Sequence, residues 1–285
     1  MARADEVLDR QREAWAGLAP GWEAWDAVIM GQLGPVGDAM IADLCIAEDQ
    51  HHLDIASGTG EPGLSIARRA PRGRVVLTDL VAEMLAVAQR RADAQGIDNL
   101  ETQVCSADEL PFDDGSFESA SVRFGYMFFP DLSAATAELV RVLAPGGRLS
   151  AAVWVDPDQN PWTSIAMDAI GAQVELPAPD PDGPSMYRCA SPGLLRGLFV
   201  DAGLVDVVER DVEVELVTES PAEYWKMISE HVSLAVAALQ RVDEPARQQI
   251  AAVATAAVAR YERDGAVRVL GRARCIVGTK PGRIS

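Results

Sequence analysis

Positive charge is scarce in this 285-residue chain: 25 Lys and Arg face 43 Asp and Glu, two of the cations are lysines, and the formal net charge is −18. Affinity for nucleic acid or anionic lipid comes largely from Lys and Arg neutralising phosphate. The balance therefore argues against nucleic acid and membrane surfaces as partners. The basic stretches Arg68–Arg74 and Arg268–Arg274 are too short and too far apart to reverse it. Long apolar runs are missing as well. No segment of about 18 uncharged apolar residues could span a bilayer, and the opening MARADEVLDR has no apolar core of a secretory signal. These absences predict a soluble, cytoplasmic protein. Cysteine is sparse: Cys45, Cys105, Cys189 and Cys275 are isolated, with no spacing for a zinc site or a disulfide framework, so no metal is expected. Histidine is scarcer still, with only His51, His52 and His231 available as imidazole bases.

What remains is an ordinary globular balance, 48% hydrophobic and 24% charged, long enough for about two domains of ~150 residues or one α/β domain with insertions. Helical periodicity runs from Asp5 to about Ile46, with Gly31, Gly34, Pro35 and Gly37 predicting a break within it. Strands and helices then alternate. Strands are expected at His52–Ala56, Val75–Thr78, Leu100–Cys105, Ser119–Phe124 and Arg148–Val155, and helices at Glu61–Arg69, Ala82–Gln95 and Ser133–Leu143. Such rotation predicts βαβ units and a parallel sheet covered on both faces. After Trp154 the regularity fails, with helices expected at Pro161–Ile170 and Leu194–Ala202. Strands at Val205–Val217 and Val267–Gly278 are separated by one long helical stretch, Pro221–Arg263, too long for a hairpin turn. The expected fold is α/β: a Rossmann-like, seven-stranded, mostly parallel sheet with helices on both faces, an antiparallel last strand and a helical cap. Its expected units are a helical lid (1–46), a cofactor-binding core (47–155), a cap insertion (156–188), a core continuation (189–217), a helical cap insertion (218–265) and a last strand with tail (266–285).

The strongest chemical signal is His52-Leu-Asp-Ile-Ala-Ser-Gly-Thr-Gly-Glu-Pro-Gly63, whose glycines at 58, 60 and 63 satisfy G-x-G-x-x-G. With Asp79 placed 21 residues after Gly58 to accept ribose hydroxyls, it also fits a nicotinamide-dependent dehydrogenase. Two features separate the readings. Asp54 lies on the strand, where its carboxylate suits a cationic ligand and repels a pyrophosphate. The turn Leu143-Ala-Pro-Gly-Gly-Arg-Leu149 follows at a fixed distance. Together with Asp79 and the segments Ser106-Ala-Asp-Glu-Leu-Pro-Phe112 and Gly115-Ser-Phe117, these motifs resemble class I methyltransferases that use S-adenosylmethionine. The nearest group is that of the ubiquinone/menaquinone C-methyltransferases, over about residues 50–155.

The resemblance implies cofactor-binding roles residue by residue. Asp54 would face the methionine amino group, directly or through water, and the backbone of Ala56, Ser57, Gly58 and Gly60 would line methionine and ribose. Asp79 would hold the ribose hydroxyls, with Leu80 and Met84 against adenine. Ser106 and Ala107 would hold the adenine edge, Ser106 standing where the family more often has Asp, so that Asp108 is a second candidate. Arg123 would lie where the cofactor's reactive end meets the substrate. Structural alternatives stand beside these roles: a helix cap for Asp79, an ion pair for Asp54, a core position for Met84.

Methyl transfer from a sulfonium chiefly demands positioning, with a base only where the nucleophile holds a proton. His51 and His52 precede the first strand, away from the strand C-termini where α/β sites lie, which leaves His231, with Tyr126 as a second catalytic candidate. Gly125-Tyr-Met-Phe-Phe129 and the cap aromatics predict an apolar acceptor pocket, with Trp22, Tyr126, Met127, Trp154, Tyr187 and Trp225 as candidate substrate contacts; ordinary core packing is the alternative for each. The expected activity is methyl transfer to O or C of a small hydrophobic acceptor, aromatic, quinone or polyketide-like, of the kind met in secondary metabolism, with S-adenosylhomocysteine as by-product. A protein of the same fold catalysing a non-methylation reaction and the dehydrogenase remain alternatives. A homodimer is compatible with the chain, which sets no oligomeric state.

Overall fold

The computed structural model describes residues 2–176 and 183–282; residues 177–182 of the expected cap insertion, residue 1 of the expected lid and residues 283–285 of the expected tail lie outside the described residues. Two helices come first, α1 (Ala2–Ala24) and α2 (Asp26–Leu44). The alternating region follows as β1 (His52–Ile55), α3 (Gly63–Arg69), β2 (Val75–Asp79), α4 (Ala82–Ala94), β3 (Leu100–Val104), β4 (Phe117–Arg123), α5 (Leu132–Val142) and β5 (Leu143–Trp154). Then come α6 (Pro161–Gly171), α7 (Leu194–Asp201), β6 (Val205–Thr218), α8 (Pro221–His231), α9 (Ser233–Leu239), α10 (Glu244–Val258), β7 (Glu262–Arg263) and β8 (Ala266–Thr279).

The sheet runs β3-β2-β1-β4-β5-β8-β6, with β7 paired to β8. β1 to β5 are mutually parallel, and β8 is antiparallel to both β5 and β6. This is the mostly parallel α/β sheet with an antiparallel last strand that the alternation predicts. The count is eight rather than seven, because Asp264 and Gly265, both at positive φ, close a tight hairpin that adds the two-residue β7. β1 lies between β2 and β4, so the chain order reverses there. In open α/β sheets that reversal opens a crevice at the strand C-termini, and this is where ligands bind.

One expectation fails because tertiary packing overrides local signals. α2 runs unbroken through Gly31, Gly34, Pro35 and Gly37, and the chain bends earlier, at Trp25. An interior proline costs about 3 kcal/mol. Against that, α2 buries Ile29, Leu33, Val36, Met40, Ile41 and Leu44, each contributing about 1.5–3 kcal/mol. The helical stretch expected over Pro221–Arg263 is built as three helices, α8, α9 and α10. Val232 turns extended after α8, and the Asp243 side chain accepts the Ala246 N–H to start α10. α1, α6, α8, α9 and α10 pack on one another. Among the described residues no helix is long and apolar enough to cross a membrane.

Candidate functional site

The loop after β1 is shaped by backbone conformations that few side chains tolerate. Ala56 (φ 51), Gly58 (φ 53) and Gly60 (φ 107) are left-handed, and the Ser57 N–H donates to the Thr78 carbonyl at 2.9 Å. Phe124 (φ 60), at the end of β4, is also left-handed. Next to it, a Cβ on Gly125 would sit 2.6 Å from that of Ala56. Strain of this kind collects at binding sites. Ala56, Ser57, Gly58, Phe124 and Gly125 all line a cavity of about 840 Å³ at the β1/β4 reversal. Gly60 is not among the described lining residues; its missing Cβ makes room for Leu64 and Ala88, so it serves the packing of α3 against α4.

Asp79 ends β2 at the rim of this cavity. Its two carboxylate oxygens accept the N–H groups of Gly58 (2.9 Å) and Val81 (3.0 Å), which ties the glycine loop to the strand end. Burial pushes its carboxyl up to about 6, opposed by those backbone bonds. Leu80, Met84, Ser106, Ala107 and Asp108 line the same end, and the Ser106 hydroxyl bonds to the Asp108 carboxylate. Ser106 and Asp108 thus form one polar pair at this end of the cavity.

Asp54 is placed otherwise than expected. It is fully buried and lies beneath the cavity rather than among the described residues lining it, because strand parity turns it, in register with Leu77, toward α3. Its carboxylate accepts the Gly63 N–H at 3.0 Å and the Ser121 hydroxyl at 2.5 Å. His52 continues the chain, with Nε2 2.9 Å from the Ser121 Oγ and Nδ1 2.7 Å from the Ser119 Oγ. Burial drives the two titratable members apart, pushing Asp54 up to about 7 and His52 down to about 3. The chain has two proton orders. With Asp54 ionised, every donor points from Ser119 toward Asp54; with Asp54 protonated, all of them reverse.

Around Arg123, half-buried at the cavity wall, a charge cluster includes Asp26, Glu61 and Arg91. Arg91 pairs with Asp26 at 2.8 Å and donates to the Thr59 carbonyl at 2.8 Å, clamping the start of α2 onto the glycine loop. The far side of the cavity is aromatic: Phe124 stacks on Trp154 at 4.3 Å between ring centroids, and Trp15, Trp22, Phe128 and Trp162 complete it. Met127 and Tyr187 also line it, the Tyr187 hydroxyl bonding to Thr163. His231 reaches it from the end of α8. Its Nδ1 donates to the Met227 carbonyl at 2.9 Å, which leaves Nε2 as the lone-pair nitrogen, and its ring meets Trp22 edge-on at 5.7 Å. Burial holds the imidazole below its ordinary value and hence neutral.

Two candidates fall elsewhere. Tyr126 is wholly buried behind the wall, its hydroxyl 3.3 Å from Thr136 Oγ1 and its ring against Phe129 and Phe199, because the short helical turn Tyr126–Phe128 rotates it into the core. Trp225 packs partly buried against the cap core, one residue from Tyr224, and is not among the described lining residues. Sequence reasoning missed Glu61, Thr59 and Gln32, all of which line the cavity. The Glu at 61 was visible inside the glycine motif; Gln32 carried no signal of its own, being one of several polar residues on α2 beside Asp26, Asp38 and Asp43.

Residues 24–169 match the ubiE/COQ5 methyltransferase family. Over 99 residues the chain is 48% identical to a demethylmenaquinone methyltransferase of Thermus thermophilus, covering 34% of this chain and 44% of that protein. Over 149 residues it is 34% identical to a ubiquinone/menaquinone biosynthesis C-methyltransferase of Dinoroseobacter shibae, covering 52% and 60%. The chain thus spans about half the length of the curated relatives it matches. In fold it is similar to a Haemonchus contortus phosphoethanolamine N-methyltransferase 2 solved with S-adenosylhomocysteine, with a TM-score of 0.58, 17% identity, and 96% of this chain and 59% of that one covered.

Proposed function

We infer the function from one premise: the chain belongs to the ubiE/COQ5 methyltransferase family. It is an S-adenosylmethionine-dependent methyltransferase, and the dehydrogenase alternative falls with that membership. The observation that carries the reading further is the single cavity that joins a cofactor-shaped polar end, Asp79 with the glycine loop, to an aromatic end reached by a neutral histidine.

The chain's groups fit the cofactor. Each Asp79 oxygen keeps a lone pair for a ribose hydroxyl after accepting its backbone N–H. Leu80 and Met84 offer an apolar face to adenine, with Ser106, Ala107 and Asp108 at its edge. The orphaned Ser57 hydroxyl, buried without a partner among the described residues, lies in the loop that lines the methionine end with Ala56, Gly58, Glu61 and Arg123. Asp54 supports that end from below by holding the Gly63 N–H at the start of α3. When bound, the cofactor supplies a methyl group activated on a sulfonium sulfur.

The acceptor is a hydroxylated aromatic of quinone-like shape, held between Trp22, Phe124 and Trp154. His231 Nε2 takes the hydroxyl proton, which raises the nucleophilicity of the oxygen and of the ring carbon beside it; transfer to that carbon is completed when the carbon loses its own proton to solvent and the oxygen recovers one from His231. The names of the relatives favour carbon as the attacked atom and quinone biosynthesis over secondary metabolism. Calorimetry with S-adenosylhomocysteine and NAD, followed by mass analysis of the product from 1,4-naphthohydroquinone and S-adenosylmethionine, tests this. Micromolar adenosyl-ligand binding without NAD binding, and a single added methyl on carbon, are expected. NAD binding alone would overturn the assignment, and turnover retained in His231→Ala would remove the base.

A further inference from the structure

Buried donors left without acceptors call for a partner, because nearly all buried polar groups in folded proteins are paired. Among the described residues, side-chain atoms of this kind include Trp22 Nε1, Gln32 Nε2 and Ser57 Oγ, and all three residues line the same cavity. Ser57 belongs to the cofactor loop. Gln32 does not. It sits on α2, 4% exposed, between Ile29 and Leu33, which line the cavity and belong to the same apolar cluster as Met127, Phe129 and Trp154. The Arg123 guanidinium reaches the Leu33 carbonyl at 3.5 Å and the Met30 sulfur at 3.6 Å, which pins this turn of α2 beside the end of β4. The Gln32 carboxamide is the polar side chain of this turn, and its N–H donors have no partner among the described residues. Leu, of similar size, would pack there without leaving a polar group unpaired.

We propose that Gln32 is a specificity-determining residue that donates a hydrogen bond from its carboxamide to a second oxygen of the acceptor, distinct from the hydroxyl that faces His231. The inference rests on the methyltransferase reading of the cavity. Trp22 Nε1, whose ring meets His231, serves the hydroxyl end, and Gln32 serves the other. An aromatic acceptor held at two oxygens cannot rotate in its plane, so one ring edge alone is presented for methylation. A site built to hydrogen-bond an oxygen rejects the analogue lacking it far more strongly than an apolar wall discriminates by size.

The test uses the full chain, with two probes of similar ring size: 2-hydroxy-1,4-naphthoquinone, which has a hydroxyl and carbonyls, and 2-naphthol, which has the hydroxyl alone. With S-adenosylhomocysteine present, the wild type is expected to bind the quinone at least tenfold more tightly than the naphthol. Gln32→Met, similar in volume but without a donor, is expected to bring the two within about twofold, with S-adenosylhomocysteine affinity unchanged. The proposal is overturned if the wild type binds the two alike or binds neither. It is overturned equally if Gln32→Met keeps the discrimination, or if it weakens S-adenosylhomocysteine tenfold, which would place Gln32 at the cofactor. Should Gln32→Met fail to fold, Gln32→Glu at pH 8, an acceptor without the donor, must show the same loss of discrimination. Failure of the wild type to bind S-adenosylhomocysteine would instead sink the methyltransferase reading itself.

Discussion

Two carboxylates divide the labour at the level of single residues. Asp79 lines the cavity, and Asp79→Ala is expected to weaken S-adenosylhomocysteine at least tenfold in calorimetry with the fold intact. Asp54 lies below, coupled to His52, and the two offset each other in pH dependence. Between about pH 4 and 6.5 the folded chain holds a proton on Asp54, raised from 3.8 to about 7, while the unfolded chain holds one on His52, lowered from 6.5 to about 3 on folding. The raised carboxyl contributes stability that is lost as pH rises; the lowered imidazole contributes stability that is lost as pH falls. Removing one exposes the other. Relative to wild type, Asp54→Asn is expected to lose about 1 kcal/mol per unit as pH falls from 6.5 to 4, and His52→Gln to lose a similar amount as pH rises over the same window, as read by denaturant unfolding. The glycine loop and Asp79 were legible because backbone geometry and spacing constrain them strongly. Asp54 was legible as a carboxylate on the first strand but not as buried, since the face a strand residue takes depends on its register with Leu77, which the motif does not encode. Gln32 was illegible: only the cavity shows that its amide lacks a partner.

Among the elements, α1 and α8 meet where Gly21 lies against the Glu230 carbonyl, one residue from both Trp22 and His231 in their chains. A Cβ on Gly21 would overlap that oxygen, so Gly21→Ala is expected to force α1 off α8. The cost is about 1–3 kcal/mol, checked by thermal melting, with weaker binding of 2-hydroxy-1,4-naphthoquinone because Trp22 moves away from His231. The strand and helix rotation between residues 52 and 154 was readable from periodicity alone. The course of α2 was not, because Gly31, Gly34 and Pro35 signal a break that the burial of Ile29, Leu33 and Met40 overrides. The breaks inside the cap helices depend on one extended residue, Val232, and one side-chain cap, Asp243, both weak signals within an alanine-rich stretch.

For the whole molecule, a ligand that fills the junction between sheet and cap should hold both together. At a hundred times its dissociation constant, S-adenosylhomocysteine is expected to stabilise the fold by about 2.7 kcal/mol, a rise in Tm of about 5 °C, whereas NAD leaves the melting curve unmoved. The aromatic wall has an optical consequence. Of the six tryptophans, Trp15, Trp22, Trp154 and Trp162 line the cavity, and Trp25 and Trp225 are not among the described lining residues. Four of the six indoles therefore sit at this cavity. A quinone, which takes up excited-state electrons and absorbs in the near ultraviolet, would darken those four and leave the other two as an internal baseline. The unlabelled chain is thus its own fluorescent gauge of occupancy.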